Sequence, residues 1–443
     1  MSATRRDHFP RTAPLAACLA MALGLALPLR TGATTVWSVN SCADDFSAGT
    51  LRQAVASAKD GDFVDLSGLR LTCSMITLAH GEIPVAVNNL KFEGDMSFPG
   101  WVTIDAANGS RVLHHTGSGY LDVNYLKLTG GKYTSTTGSA VGGCIASSGT
   151  VRLRWSTVSN CSVEVSGKAP SSAFIAGGAG IYAPAVSLYE SQISGNTAIA
   201  ANYNNFASGG GIKTSKFTSS YSTISGNVAS GSNTATGAAG GVFAGIASIH
   251  HSTIDSNQAS DRVGGVSLGH FSSDTELIET STISGNSAKS VGGLEVFASS
   301  LHLYNSTIAF NTSTTRQGAY LQGNATIVSS IIAKNSSAST FQDLFVGSGF
   351  TFLGNSNLIM SSNTAPADTI SADPQLAPLA YHGELRRTHA LNPSSPAVDQ
   401  GVATAAGGST DERGLNRSVG LAPDIGAYER QNHDDEIFYS GFD

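Results

Sequence analysis

The sequence predicts an all-β chain wound as a right-handed parallel β-helix, with an N-terminal cap and a short C-terminal cap domain. Three observations predict it. A short motif recurs through the middle of the chain at intervals of 24 to 35 residues. Inside each interval, apolar and polar residues alternate with period two over runs of three to five residues. Charged residues make up 13% of the chain and Gly 50 of its 443 residues, where an average soluble domain carries about 25% charged residues and about 7% Gly. Few charges, frequent Gly, Ser, Thr and Asn, and scattered β-branched residues suit many short strands joined by tight turns.

The repeat has three parts. The clearest is Ser191-Gln192-Ile193-Ser194-Gly195-Asn196, which returns as Ser222-Thr223-Ile224-Ser225-Gly226-Asn227 and Ser281-Thr282-Ile283-Ser284-Gly285-Asn286. Looser copies end at Asn160, Asn257, Asn311 and Asn335. A Gly-rich element precedes each copy, as in Gly210-Gly211-Ile212 and Gly292-Gly293-Leu294, and an alternating strand such as Leu301-His302-Leu303-Tyr304 lies between them. None of these strands can bury its apolar face alone. Stacked coils solve this, pairing as parallel strands about 4.8 Å apart with Ile on Ile down one core. The terminal residues Asn160, Asn196, Asn227, Asn257, Asn286, Asn311 and Asn335 then fall in one column. Asn tolerates left-handed backbone at a turn, and stacked Asn side chains can bond to one another as a ladder.

The ends differ from the middle. Residues 1–33 read as a signal peptide: Arg5, Arg6 and Arg11 precede an apolar run, Leu15 to Leu29, with Thr31-Gly32-Ala33 at the cleavage site. Without them the chain keeps 21 basic and 31 acidic residues, a net charge of -10. That disfavours nucleic acid, which needs clustered Lys and Arg. No later segment is apolar enough to span a bilayer. Export makes disulfides the expected fate of Cys42, Cys73, Cys144 and Cys161, and sequence proximity favours Cys42–Cys73 and Cys144–Cys161. Leu51 to Ala58 reads as a short amphipathic helix fit to cover the first open coil, with strands around residues 76–78, 90–92, 102–104 and 123–128 beginning the solenoid.

Ser47-Ala48-Gly49-Thr50-Leu51-Arg52-Gln53-Ala54-Val55, followed by Ala58-Lys59-Asp60-Gly61-Asp62, resembles the SLREAI-type (CSLREA-like) N-terminal segment of exported bacterial parallel β-helix proteins. Asp373-Pro374-Gln375-Leu376, Ser394-Ser395-Pro396-Ala397-Val398-Asp399 and Pro423-Asp424-Ile425-Gly426-Ala427-Tyr428-Glu429 resemble the choice-of-anchor Q domain that ends such proteins. The resemblance implies a pectin-lyase-like solenoid and a secreted or outer-surface location, but supplies no catalytic residues. It organises the chain as a signal peptide (1–33), N-terminal cap and first coils (34–130), repeat β-helix (131–360), choice-of-anchor Q-like domain (361–430) and an acidic-aromatic tail (431–443).

Candidate binding residues come from aligning the coils on the repeat Ser. The position before it reads Trp155, Glu190, Tyr221, His251, Thr280, Asn305, Ser329, and the one before that includes Tyr189, His250, Glu279 and Tyr304. Aromatic and polar side chains on a flat β-surface suit sugars. Tyr189, Tyr221, His250, His251, Glu279 and Tyr304 are therefore candidate ligand contacts, with Tyr203 in the long loop after Asn196. Long loops after Asn160, Asn196 and Asn227 mark the expected side for a shallow ligand face. The carboxylates Asp411, Glu412, Asp424 and Glu429, with Arg413, read as charge-paired cap structure.

No coil presents matched carboxylates beside a base. The expected function is an adhesive or carbohydrate-binding surface module without catalysis or cofactor, monomeric, with extracellular or cell-surface glycans as partners. The alternative is a polysaccharide lyase or glycoside hydrolase, for which calcium would enter as a cofactor.

Overall fold

In the computed structural model the predicted parallel β-helix is formed. The structure describes residues 34–432 apart from 98, 100–101, 169–172, 203, 232–235, 270–273, 298–299, 315–317, 338–341, 383–385 and 403–407. The expected signal peptide and most of the C-terminal tail therefore lie outside the described residues.

Each coil contributes to two principal sheets, one of 19 strands and one of 11 among the described residues. The broad sheet takes the Gly-rich strand and the alternating strand. These fuse into nine-residue strands in three coils, Ile181–Tyr189, Ile212–Ser220 and Val242–His250. The narrow sheet takes the Thr-Ile-Ser element. All pairings in both are parallel, so the inward column Ile76, Ile104, Leu128, Val158, Ile193, Ile224, Ile254, Ile283, Ile308, Ile332, Ile359 runs unbroken. All of these are buried. Stacking like on like removes each apolar face from water at about 25 cal/mol per Å².

Two polar ladders run beside that column. Asn196 Nδ2 donates to Asn227 Oδ1 at 2.9 Å, and the same bond recurs from Asn227 to Asn257, Asn257 to Asn286, Asn286 to Asn311 and Asn311 to Asn335. The second ladder was not anticipated. Each repeat Ser offers its Oγ to the backbone N–H of the Ser one coil earlier, from Ser156–Ser191 to Ser306–Ser330.

The Asn column differs from expectation in two ways. The left-handed residue is the one before the ladder position: Gly195, Gly226, Ser256, Gly285, Phe310 and Lys334 have φ between 57° and 66°. Asn160 is exposed and occupies this turn position itself, at φ 55°. Its coil is one residue out of step, so Cys161 takes the ladder place, and its N–H bonds Asn196 Oδ1 at 3.0 Å. Cys161 is joined to Cys144, and Cys42 to Cys73.

The long loops are also more ordered than their composition suggests. After Asn160 the chain forms Ser162–Val165 and Ile175–Gly177, and after Asn196 Thr197–Ala200 and Phe206–Ser208. These belong to two further parallel sheets that enclose a small core of Val163, Ala176, Ala198, Ala207 and Ala229. A core built from Ala needs close backbone approach, which the neighbouring Gly residues permit.

The solenoid begins earlier than expected, since Val36–Ser38 already pairs with Asp62–Asp65. The helix Leu51–Ser57 starts at Thr50, whose side chain accepts from the Gln53 N–H. It buries Leu51, Ala54 and Val55 over the first coil. Arg52 is buried too. Its Nε and Nη2 reach Asp44 at 2.8 and 3.0 Å, and its other donors reach the carbonyls of Gly81 and Glu82. Replacing Arg52 by Ala would strand a buried carboxylate, with an expected cost of about 3 kcal/mol. A fall in melting temperature with early proteolysis in the first 90 residues would show it; unchanged resistance would refute it.

Candidate functional site

The chain turns from broad to narrow sheet at a sharp corner. The corner residue is the one before each repeat Ser, or before Leu126 in the coil that precedes them, and Tyr125, Trp155, Glu190, Tyr221, His251, Thr280, Asn305 and Ser329 all sit at φ between 45° and 58°. That region is costly for bulky side chains. Continued pairing offsets the cost: the N–H of Trp155 bonds Tyr189 O, that of Glu190 bonds Ser220 O, and that of Tyr221 bonds His250 O, at 3.0 to 3.2 Å. The conformation throws the corner side chains outward into one file.

The file is a run of rings. Tyr125 stacks on Trp155 at 5.0 Å, Trp155 meets Tyr189 edge-on at 5.2 Å, Tyr189 meets Tyr221 at 6.0 Å, and Tyr221 stacks on His251 at 4.6 Å. The rings therefore cover much of one another's faces.

Beyond Tyr221 the file is covered by the C-terminal segment, which folds back across the outside of the narrow sheet. Thr253 Oγ1 lies 2.9 Å from Glu412 Oε1, Thr282 bonds Glu412 Oε2, Ser284 Oγ lies 2.8 Å from His389 Nε2, and Ala427 N–H bonds Thr307 Oγ1 at 3.0 Å. Arg387 pairs with Asp255.

This corrects the picture of an open face across His250, His251 and Glu279. His251 is only 9% exposed, within 3.2 Å of Thr410 Oγ1, and burial pushes its pKa down to about 4. Glu279 is buried and pairs with His250 at 3.4 Å. Tyr304 is half-buried beside His302. Tyr189 stays exposed, Tyr221 is half-buried, and Tyr203 lies outside the described residues.

Where the covering segment stops, a cleft opens. It has a volume of about 370 Å³. Thr157, Gln192 and Thr223 supply its floor from three successive coils, and Trp155, Glu190 and Tyr221 supply the corner side. Tyr381 and Arg386 form the facing wall, with Pro99 at one end. Glu190 Oε2 accepts from Trp155 Nε1 at 2.8 Å, and the Arg386 guanidinium lies 4.9 Å above the Tyr221 ring. Aligning the coils places Trp155, Glu190 and Tyr221 in the corner file, but gives no signal for Tyr381 or Arg386. Those lie 160 and 165 residues downstream of Tyr221 and reach the cleft through contacts that have no period.

A second hollow of similar size lies on the outer broad sheet, lined by Lys216, Ile246, Leu277 and His302. Nearby, Glu276 points into the solenoid, with one oxygen 2.6 Å from the Ala247 N–H, and burial raises its pKa to about 7. Among the described residues, no group of three His, Cys, Asp or Glu is placed to hold a metal ion, and no helix is long and apolar enough to cross a membrane.

No protein-family model matches the chain, and no curated protein matches it. Among solved structures it is similar to a crystal structure of pectate lyase Pel9A, with a TM-score of 0.45 and 12% sequence identity, over 90% of this chain and 97% of that one.

Proposed function

We propose that the protein is a secreted or surface-attached carbohydrate-binding β-helix that holds a glycan in the cleft between corner file and C-terminal segment. The observation that carries this reading is the lining. Aromatic rings at Trp155, Tyr221 and Tyr381 stand around a floor of hydroxyl and amide groups, with one carboxylate and one guanidinium. Rings supply apolar contact to sugar C–H faces, and the polar groups match sugar hydroxyls, the usual composition of a small-ligand site. Binding without cleavage fits the single carboxylate in the described lining, because glycoside hydrolysis generally uses two. The disulfides and the resemblance of residues 373–429 to an anchor-type domain support an extracellular setting.

The test is a glycan array followed by calorimetry on the best ligand. Gln192→Ala and Tyr381→Ala are expected to weaken binding at least tenfold while leaving the melting temperature within a degree or two. Full affinity in both variants would overturn the cleft as the site. Release of new reducing ends or unsaturated sugars would overturn the non-catalytic reading.

A further inference from the structure

We propose that Arg386 makes this cleft selective for glycans that carry an anionic group, a carboxylate or a sulfate, which seats against the guanidinium. The inference rests on the glycan-binding reading above and names the class of sugar.

Arg386 is 7% exposed, yet it lines the cleft. Its Nε and Nη2 both point at one acceptor, the backbone carbonyl of Glu412, at 3.3 and 3.1 Å. A guanidinium has five N–H donors in a fixed fork. Among the described residues that single carbonyl is its hydrogen-bond acceptor, which leaves Nη1 and part of Nη2 without one. No carboxylate lies within ion-pair distance of Arg386 among the described residues.

Its neighbours do not neutralise it. The Glu412 side chain is turned to Thr253 and Thr282, and burial lifts its pKa to about 8, so it is mostly uncharged at neutral pH. Glu279 is committed to His250, and the Arg417 charge nearby has the same sign. Glu190 sits one coil back and holds the Trp155 indole N–H. Burying a cation without a counter-ion is expensive unless a partner arrives. Arg also binds carboxylate and sulfate-like oxygens with two parallel bonds, and the Tyr221 ring beneath it keeps the fork in place.

The arrangement gives the ligand a direction. Its acidic group faces Arg386 over the coil of Tyr221, and its hydroxyls face Glu190 and Gln192 one coil earlier. Glu190 would repel an anion placed at its own end, which reinforces that orientation.

Tetramannuronate, its neutral counterpart mannotetraose and a sulfated carrageenan tetrasaccharide would be titrated against the full chain, following Trp fluorescence. At least one acidic sugar is expected to bind ten-fold or more tighter than mannotetraose, with the advantage shrinking as salt rises; the two acidic arms distinguish carboxylate from sulfate. Arg386→Gln is expected to abolish the acid-over-neutral preference, and Arg386→Lys to restore part of it. Should Arg386→Gln fail to fold, Glu190→Gln decides, since it is expected to raise affinity for the preferred acidic sugar about threefold and leave mannotetraose unchanged. Equal binding of acidic and neutral sugars would overturn the inference and leave the glycan reading standing. Binding of none of the three, with other glycans also failing on the array, would overturn both.

Discussion

Raising the pH from 6.5 to 8.5 is expected to destabilise the protein, and Glu412→Gln is expected to remove a large share of that loss. Glu412 lies on the inner side of the C-terminal segment, buried against Thr253 and Thr282 of two adjacent coils. The hydroxyl of Thr253 has one proton and two neighbours, Arg387 O at 2.8 Å and Glu412 Oε1 at 2.9 Å. Both contacts are hydrogen bonds only if Thr253 donates to the carbonyl and a protonated Glu412 donates to Thr253. Burial raises Glu412 and Glu429 to about 8 and Glu276 to about 7. For each, the folded-state pKa exceeds the unfolded one. The stabilising effect is whole below the unfolded value and is lost as pH rises through the folded value, by up to about 1.4 kcal/mol per pH unit per group.

Two histidines act in the opposite sense at lower pH. His251 and His389 are pushed down to about 4, chiefly by burial, so their contribution is lost as pH falls below the unfolded value of 6.5. Between pH 4.5 and 6.5 the two sets partly cancel. Between pH 6.5 and about 8 the carboxyls act alone among these groups, and above 8 Lys213, which burial pushes down to about 8, acts in the opposite sense, so the wild-type melting temperature is expected to fall chiefly between pH 6.5 and about 8. Gln at position 412 can donate to Thr253 and accept from Thr282 at any pH. The difference between its variant and the wild type should widen in the variant's favour as pH rises from 6.5 to 8.5. Parallel melting curves for the two proteins across that range would show that Glu412 is ionised throughout.

What the sequence made legible follows from what repeats. Ile254 and Ile283 occupy like places in their coils because both meet the same core, and that demand shows as a spacing. The same holds for Asn227 and Asn257. The strands of the side lobe were not legible because Ala198, Ala207 and Ala229 fill a core too narrow for larger side chains. Ala between Gly, Ser and Asn has the composition of a loop. The carboxylate-rich C-terminal region reads as charge-paired cap structure, and Asp411 does pair with Arg413, whereas Asp424 and Glu429 accept backbone N–H groups instead. Its position was not readable. The cover over His251 and Glu279 joins residues far apart in sequence, such as His251 and Thr410 at a separation of 159, so an alignment of coils exposes a face that the folded chain closes. The cleft is a product of that closure and inherits its invisibility.

The register slip at the first legible coil sets up the sharpest contrast between two residues that look equivalent in sequence. Asn227→Ala is expected to cost about 3 kcal/mol or more, and Asn160→Gly less than about 0.5 kcal/mol. Asn227 Oδ1 accepts from both the backbone N–H and the Nδ2 of Asn196, while its own Nδ2 donates to Ile193 O and Asn257 Oδ1. Truncation leaves the Asn196 N–H and the Ile193 carbonyl buried without their partners, each costing about 1–3 kcal/mol, and opens a void that the stacked coils above and below cannot close. Asn160 is exposed and holds only the left-handed turn that Gly195, Gly226 and Gly285 hold in other coils, so Gly serves there without strain. Because each coil touches only its neighbours, the Asn227 defect should stay local. Hydrogen exchange is expected to quicken in the strands from Ile193 to Asp255 and remain unchanged in those from Val36 to Asp105. Equal losses in the two variants would mean that Asn160, and not Cys161, heads the ladder.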